Sequence, residues 1–411
     1  MATPDKPEVY AIQRGRSGWT LSRRSLMRTA AAAAAVTATG RRALAGACPE
    51  GAYPHGSGNA IQQVSVGPDG LLASAGGDVR LWSLPDGAFL KSLTGGDVAW
   101  KVAVSPDGKL LAAGHQDGSL RLWSVPGGTL LKTMTGSTEP YGYIVVAISP
   151  DGRYLISGDG GHGNRDQDLK LWSLPEGELL KSFSQTPSGD TASSLAISPD
   201  GRMLATAGSV DIRLWSLPEA TLIKTLSGHS DFIYCVAFSP DGRLLASGSM
   251  DKTVKVWSLP GGTVAKTLTE HTESVWAVAF SPDGRLLASG SQDNTIKLWS
   301  LPDATLRKTL SGHTSGVDAL AITPDSRLLV SGGLDYTIKL WSLPEGQLLP
   351  VCLMDPAASS GSVQAVTYEI DGRTYSVPVG SPIPTGAVCT CNAVYGSGGG
   401  GGGGGHYWYP N

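Results

Sequence analysis

Charge is scarce in this chain: Asp, Glu, Lys and Arg together make up 16% of its 411 residues. Charge repulsion therefore does not hold it open, and a hydrophobic content of 41% leaves enough apolar material for a core. Cysteine is also sparse, with five residues, an odd number for a disulfide framework. The Ala-dominated stretch from Thr29 to Gly40 is 12 residues long, too short to span a bilayer at about 1.5 Å per residue. What the chain has in excess is punctuation, 55 Gly and 26 Pro. That many breakers excludes a helical bundle, and a closed β-rich architecture can absorb well over half of such a chain as one unit.

The net charge of −3 is unevenly placed. Residues 1 to 47 carry Lys6, Arg14, Arg16, Arg23, Arg24, Arg28, Arg41 and Arg42 against Asp5 and Glu8, a balance of +6 that leaves −9 for the rest. A body of that sign has no general attraction for nucleic acid or anionic lipid, so neither is expected as a partner. The basic head has the order of a signal peptide: Ser22-Arg23-Arg24-Ser25-Leu26-Met27-Arg28, the Ala stretch, then Ala43-Leu44-Ala45-Gly46-Ala47 as a small-residue cleavage site. SRRSLMR resembles the twin-arginine export motif, with Leu26 where Phe is more usual; the resemblance implies a bacterial chain exported already folded to the periplasm or beyond. The alternative is an Ala-rich helix of the fold. Cleavage after Ala47 would make Cys48 the first residue, one residue out of register with the usual lipidation spacing.

Internal repetition decides the fold class. LWSLP or a close variant recurs with Trp at 82, 123, 172, 215, 257, 299 and 341, and an SPDG-type turn with Pro at 68, 106, 150, 199, 240, 282 and 324. Each repeat reads as four short strands. In the sixth these are 275–280, 286–289, 295–299 and 305–310, with Pro presetting φ and Asp-Gly completing the SPDG link. Strands this short bury their faces only by stacking, and seven four-stranded sheets around an axis protect their edges by ring closure.

The repeat resembles the WD-repeat β-propeller family from Ala60 to about Asp355, although Ser follows Trp where the family has Asp. The resemblance implies an all-β, seven-bladed propeller. It also implies a structural hydrogen-bond relay in three blades: His229, Ser247, Asp251 and Trp257; His271, Ser289, Asp293 and Trp299; His313, Ser331, Asp335 and Trp341. A hydrolytic His-Ser-Asp triad has the same ingredients, but three copies at identical spacing read as architecture. Repeats one to four lack that His and are expected to rely on packing. The stretch from Gly346 to Leu353 supplies a fourth strand for repeat seven, and Cys48 to Gly58 shows no alternation, so blades of contiguous sequence are expected.

Family propellers act as platforms, with partners on the face where each innermost strand begins. Counting back five residues from the SPDG-type turn gives Gln62, Trp100, Ile144, Ser193, Tyr234, Trp276 and Asp318. With Phe232 and Met250, the aromatics of that column form an expected apolar patch across repeats five and six. The candidate partner-binding residues are Trp100, Phe232, Tyr234, Met250, Trp276 and Asp318, and the alternative is that they pack between blades. The column offers no paired carboxylates and no His cluster, which argues against acid-base catalysis. No catalytic residue, cofactor or bound metal is expected. In the third repeat, Asp159, His162, Asp166 and Asp168 lie on a Gly-rich insertion that reads either as solvated loop or as a cation site.

Cys235 stands in the column of Ala277 and reads as a small buried hydrophobe. Cys352 is a candidate to pair with Cys389 or Cys391. VTYEIDGRTYSVPV alternates about Asp371-Gly372 as a hairpin, and eight Gly (398–405) tether a terminal HYWYPN. That tail reads as a recognition tag, a weak metal site with the Cys-x-Cys pair, or an inert extension. The domain reading is thus 1–47 export signal, 48–59 linker, 60–355 propeller, 356–397 hairpin appendage and 398–411 tail. The expected function is an exported, monomeric, non-catalytic scaffold for a protein or peptide, without membrane insertion after cleavage. The alternatives are an extracytoplasmic enzyme acting on a small molecule or glycan, and a carrier of a functional C-terminal tail.

Overall fold

In the computed structural model each repeat turns back on itself three times and forms one antiparallel sheet. The structure describes residues 60–349, apart from 86, 95–96, 138–142, 160–167 and 185–191, together with short strands at 11–15, 18–22, 52–54, 365–370, 373–378 and 388–390. Blade one is built from Gln63–Val66, Leu71–Ala75, Val79–Ser83 and Phe89–Leu93. Blade six, the most regular, is Val275–Phe280, Leu286–Ser291, Thr295–Ser300 and Thr305–Ser311. Seven such sheets follow one another, the first packing against the last, and the chain is a seven-bladed β-propeller.

The core is divided among the junctions between blades. Seven buried clusters occupy the seven junctions, each holding one repeat Trp. Trp341 of blade seven, for instance, packs with Leu298 and Leu310 of blade six, while Trp82 of blade one packs with Ile338 and Leu340 of blade seven. All seven Trp are 5% exposed or less. Burying about 200 Å² of each is a driving force of roughly 5 kcal/mol per junction. The inner layers approach so closely that a Cβ on Gly248 or Gly290 would lie within 2.6 or 2.8 Å of the Val275 or Val317 side chain of the next blade.

Two polar devices repeat around the ring. In the SPDG turn, Ser239 Oγ donates to Asp241 Oδ1 at 2.6 Å and accepts the Leu244 amide at 2.9 Å, so the turn fixes its own geometry. On the rim, an outer-strand Lys reaches across to a turn carbonyl of the following blade: Lys91 to Gly127 at 2.7 Å, Lys132 to Glu176 at 2.6 Å, Lys308 to Glu345 at 2.6 Å, and Lys181 to Glu219 likewise.

The ring closes differently from the contiguous blades expected from the repeat. The outer strand of blade seven is Ala52–Pro54, paired antiparallel with Thr337–Lys339 of the third strand (Ala52 opposite Lys339, Pro54 opposite Thr337). The blade's own continuation covers only the other end, where Leu348 bridges Trp341 and the Leu349 amide donates to Leu340 O at 2.8 Å. Pro350 has no N–H to continue that ladder, so the segment from the N-terminal side takes the remaining edge. Within the stretch read as a linker, Ala52–Pro54 is thus a strand of the ring.

Outside the ring, Ala365–Ile370 and Arg373–Pro378 form the hairpin expected around Asp371-Gly372, with Val388–Thr390 as a third strand. Ala11–Gly15 pairs with Gly18–Ser22 inside the basic head. The Ala stretch and cleavage segment, the Gly run, HYWYPN, Cys48, Cys352 and Cys391 lie outside the described residues.

Candidate functional site

The column singled out in the sequence coincides with a recurrent irregularity of the innermost strands. Register shifts between Ala99 and Lys101, Ile233 and Cys235, Val275 and Ala277, and Val317 and Ala319. The extra residues are Trp100, Tyr234, Trp276 and Asp318. Each sits on a β-bulge, where two residues oppose one and the side chain is re-aimed out of the regular pleat. Blades one and four place Gln62 and Ser193 at the same level, their amides bonded to Ala75 O at 2.9 Å and Ala207 O at 2.7 Å. Ile144 does not belong to the column. It pairs directly with Asp159 and is fully buried against Gly114, because blade three is one residue shorter here.

Three of the bulge or neighbouring aromatics touch in sequence. Phe232 and Tyr234 meet edge to face with centroids 5.2 Å apart, and Tyr234 meets Trp276 across the blade five–six junction at 6.5 Å. The Trp276 ring lies so close to Gly316 of blade seven that a Cβ there would fall 2.3 Å from it. Met250, 44% exposed, is held beside this group by its amide bond to Phe232 O at 2.8 Å. The three rings themselves are half-buried. Trp100 lies apart from them, its ring tilted against Tyr143 with centroids 5.5 Å apart.

Asp318 and two residues that the sequence reading passed over line or adjoin the axis. Lys101, next to the blade-two bulge, places Nζ 5.5 Å from the Tyr143 ring centroid and 3.3 Å from Gln62 O. It stands in the column filled by Cys235, Ala277 and Ala319 in later blades, and a charged residue among small ones was the available signal. A cavity of about 110 Å³ on the axis is lined by Gln62, Lys101, Ser193, Tyr234, Trp276 and Asp318, among others. Burial pushes the Asp318 carboxyl up to about 6, against the pull of Lys101. Burial works against the Lys101 charge, yet Tyr143 and Asp318 outweigh it and raise its pKa. Cys235 is a free, buried thiol, pushed up to about 12 by burial.

The His-Ser-Asp-Trp sets are buried within their blades. Trp299 Nε1 donates to Ser289 Oγ at 3.0 Å, Ser289 Oγ lies 2.8 Å from His271 Nε2, and His271 Nδ1 lies 2.7 Å from Asp293 Oδ2. Ser has one proton and the carboxylate has none, so the chain of donation runs Trp to Ser to His to Asp with the His proton on Nδ1. The sets at His229 and His313 have the same bonds within 0.1 Å of these, apart from a Trp341–Ser331 bond of 2.8 Å. Ser247, Ser289 and Ser331 are 0% exposed, so no substrate reaches their hydroxyls.

The other blades keep shortened versions. Trp82 and Trp172 donate to Ser74 and Ser157 at 3.0 and 2.9 Å, and Trp215 to Thr206 at 3.1 Å. Blade two has Ala113 at that place, and the His115 ring lies tilted against Trp123 while Arg121 joins His115 to Asp117. In blade three Asp159 accepts from Ser137 at 2.6 Å, while His162 and Asp166 lie outside the described residues. Among the described residues there is no cluster able to hold a metal ion, and no helix long and apolar enough to cross a membrane.

The pattern of the family described as WD domain, G-beta repeat matches six stretches: 87–124, 128–173, 177–216, 220–258, 262–300 and 304–342. The chain belongs to this WD40 repeat family. Each stretch begins with the outer strand of one blade and ends with the third strand of the next. In that frame the outer strand preceding blade one is Ala52–Pro54, which is why it lies on blade seven. A search of curated proteins found no match.

The rim carries apolar surface that the sequence reading did not single out. Leu130, Leu131, Leu179, Leu180, Leu222 and Ile223 on the outer strands of blades two to four are 48–54% exposed. Tyr336, 48% exposed at φ +63°, stands on the strand-two to strand-three turn of blade seven, the counterpart of the turn beside Met250.

Proposed function

We infer that this WD40 propeller is a non-catalytic scaffold, exported from a bacterial cytoplasm, that binds a protein or peptide on the face where its innermost strands begin. The observation that carries this reading is the Phe232–Tyr234–Trp276 series, three rings in edge-to-face contact across a blade junction with the exposed Met250 beside them. Half-buried aromatics on a rigid support are what binding hot spots are made of, since little side-chain entropy is lost when a partner covers them. Trp100 and Asp318 stand at the same level on blades two and seven, and Tyr336 extends the face.

The non-catalytic reading rests on the three His-Ser-Asp sets, whose Ser hydroxyls are fully buried and out of a substrate's reach. Export rests on the twin-arginine-like head, and cleavage after Ala47 would keep the closing strand at 52–54 in the mature chain. The exposed rim leucines favour a second contact surface. The test is affinity capture from the native envelope with three baits: wild type, Tyr234→Ala/Trp276→Ala, and Leu131→Ser/Leu180→Ser. Loss of a captured protein from the first double variant alone supports the face; loss from the second alone moves the site to the rim.

A further inference from the structure

Behind the aromatic rings, the axis holds two opposite charges that do not meet. Lys101 of blade two and Asp318 of blade seven both line the cavity. Asp318 feels the field of Lys101, yet the two are not in ion-pair contact, and no hydrogen bond reaches the Asp318 carboxylate among the described residues. An anion left without a donor in a confined space is costly. The same bulge position carries Tyr234 and Trp276 in blades five and six, so nothing in the backbone demands an acid there.

The cavity between them, about 110 Å³, falls well below the roughly 300 Å³ at which sites for drug-sized ligands begin. Nucleotides, sugars and peptides are too large for it. A small cation would be drawn to Asp318 but repelled by Lys101, and a small anion would meet the reverse. A molecule carrying both charges satisfies both walls.

We propose that the channel binds a small zwitterion, a free α-amino acid with a short side chain, whose carboxylate meets Lys101 and whose ammonium meets Asp318 beside Tyr234 and Trp276. Gln62 and Ser193 add further polar groups to the lining. The site shares Tyr234, Trp276 and Asp318 with the proposed partner face but needs no bound partner to form.

Isothermal titration of the purified full chain at pH 7.5 tests this, with glycine and L-alanine as probes and acetate and methylammonium as their single-charge halves. The expected result is saturable binding of at least one amino acid, tenfold or more weaker binding of each half, and a tenfold or greater loss in both Asp318→Asn and Lys101→Met. Both variants should melt no lower than wild type; Asp318→Asn, nearly isosteric, carries the test alone if Lys101→Met does not fold. No saturable heat with either amino acid, or binding unchanged in Asp318→Asn, overturns the proposal. So does methylammonium binding as tightly as glycine and independently of Lys101, which would mark a cation site. Capturing the face partner on the same preparations keeps the two readings apart, since either can fail alone.

Discussion

Ser289 Oγ sits between two buried rings, 3.0 Å from Trp299 Nε1 and 2.8 Å from His271 Nε2, and so ties the third strand of blade six to the loop that enters the blade. Removing the hydroxyl orphans a donor and an acceptor at once. Ser289→Ala is expected to cost about 2–4 kcal/mol, since each buried group left unsatisfied costs about 1–3 kcal/mol. Urea unfolding measures it. A loss under about 0.5 kcal/mol would mean that the relay contributes nothing beyond packing.

The relays also set an acid limit. Burial holds His229 and His313 below the ordinary histidine range despite their Asp partners. Burial would raise Asp251 and Asp335, but hydrogen bonds from Thr253 and His229, and from His313 and Thr337, bring both down to about 2. In both cases the unfolded chain binds more protons than the folded one, so stability is lost as the pH is lowered. The histidine part is lost on going below about pH 6.5 and the carboxylate part between about pH 4 and 2. Asp251→Asn/Asp335→Asn should flatten the lower window in urea titrations at stepped pH, and an unchanged slope there would contradict the assignment.

Asp318 works in the opposite sense. Its folded value of about 6 lies above the 3.8 of an unperturbed Asp, so the folded chain holds the proton more tightly and ionisation destabilises the fold as pH rises through that window. Asp318→Asn is therefore expected to raise stability at pH 7.5 by about 1–2 kcal/mol, after allowance for water in the channel, and to leave it unchanged at pH 4. Thermal melts at the two pH values decide it; destabilisation at pH 7.5 would show that the carboxylate is satisfied.

Ala220 and Ala304 occupy the rim-turn position that Gly fills in the other five blades, at φ +53° and +51°. A Cβ in the left-handed region costs about 1–2 kcal/mol. Both are nearly buried, so part of the gain on substitution is given back. Ala220→Gly and Ala304→Gly should each stabilise by about 0.5–1 kcal/mol in chemical denaturation, whereas destabilisation would mean that the methyl packing outweighs the backbone strain.

Seven blades were legible in the sequence because two markers recur seven times, so errors in any one copy are corrected by the others. The bulge residues were legible for the same reason, except in blade three, where one missing residue shifted Ile144 into a column it does not occupy. Lys101 escaped because its meaning lies in what faces it across the axis, Asp318 five blades away in sequence. The closing strand escaped for a physical reason of the same kind. Three residues, Ala52-Tyr53-Pro54, carry no periodicity, and their pairing with Thr337–Lys339 spans nearly the whole ring. The rim leucines were not singled out, because their exposure follows from the outer strand having no further neighbour in the assembled ring.

That closure makes a direct prediction about the mature N-terminus. A chain beginning at Cys48 keeps the outer strand of blade seven, and one beginning at Gly58 lacks it. The shorter chain should lose about 2–3 kcal/mol, or roughly 5 °C in Tm, with faster hydrogen exchange confined at first to Thr337–Lys339. Equal melting of the two chains would mean that Leu348 and Leu349 suffice to close the ring.

The most direct measurement of the binding face is hydrogen exchange on the propeller with and without the partner it captures. The account predicts protection of the inner-strand starts at 232–236 and 274–278 and of the turn at Met250, with the outer strands 129–135 and 179–184 unchanged. Protection of those outer strands, with the face exchanging as in the free chain, would contradict it.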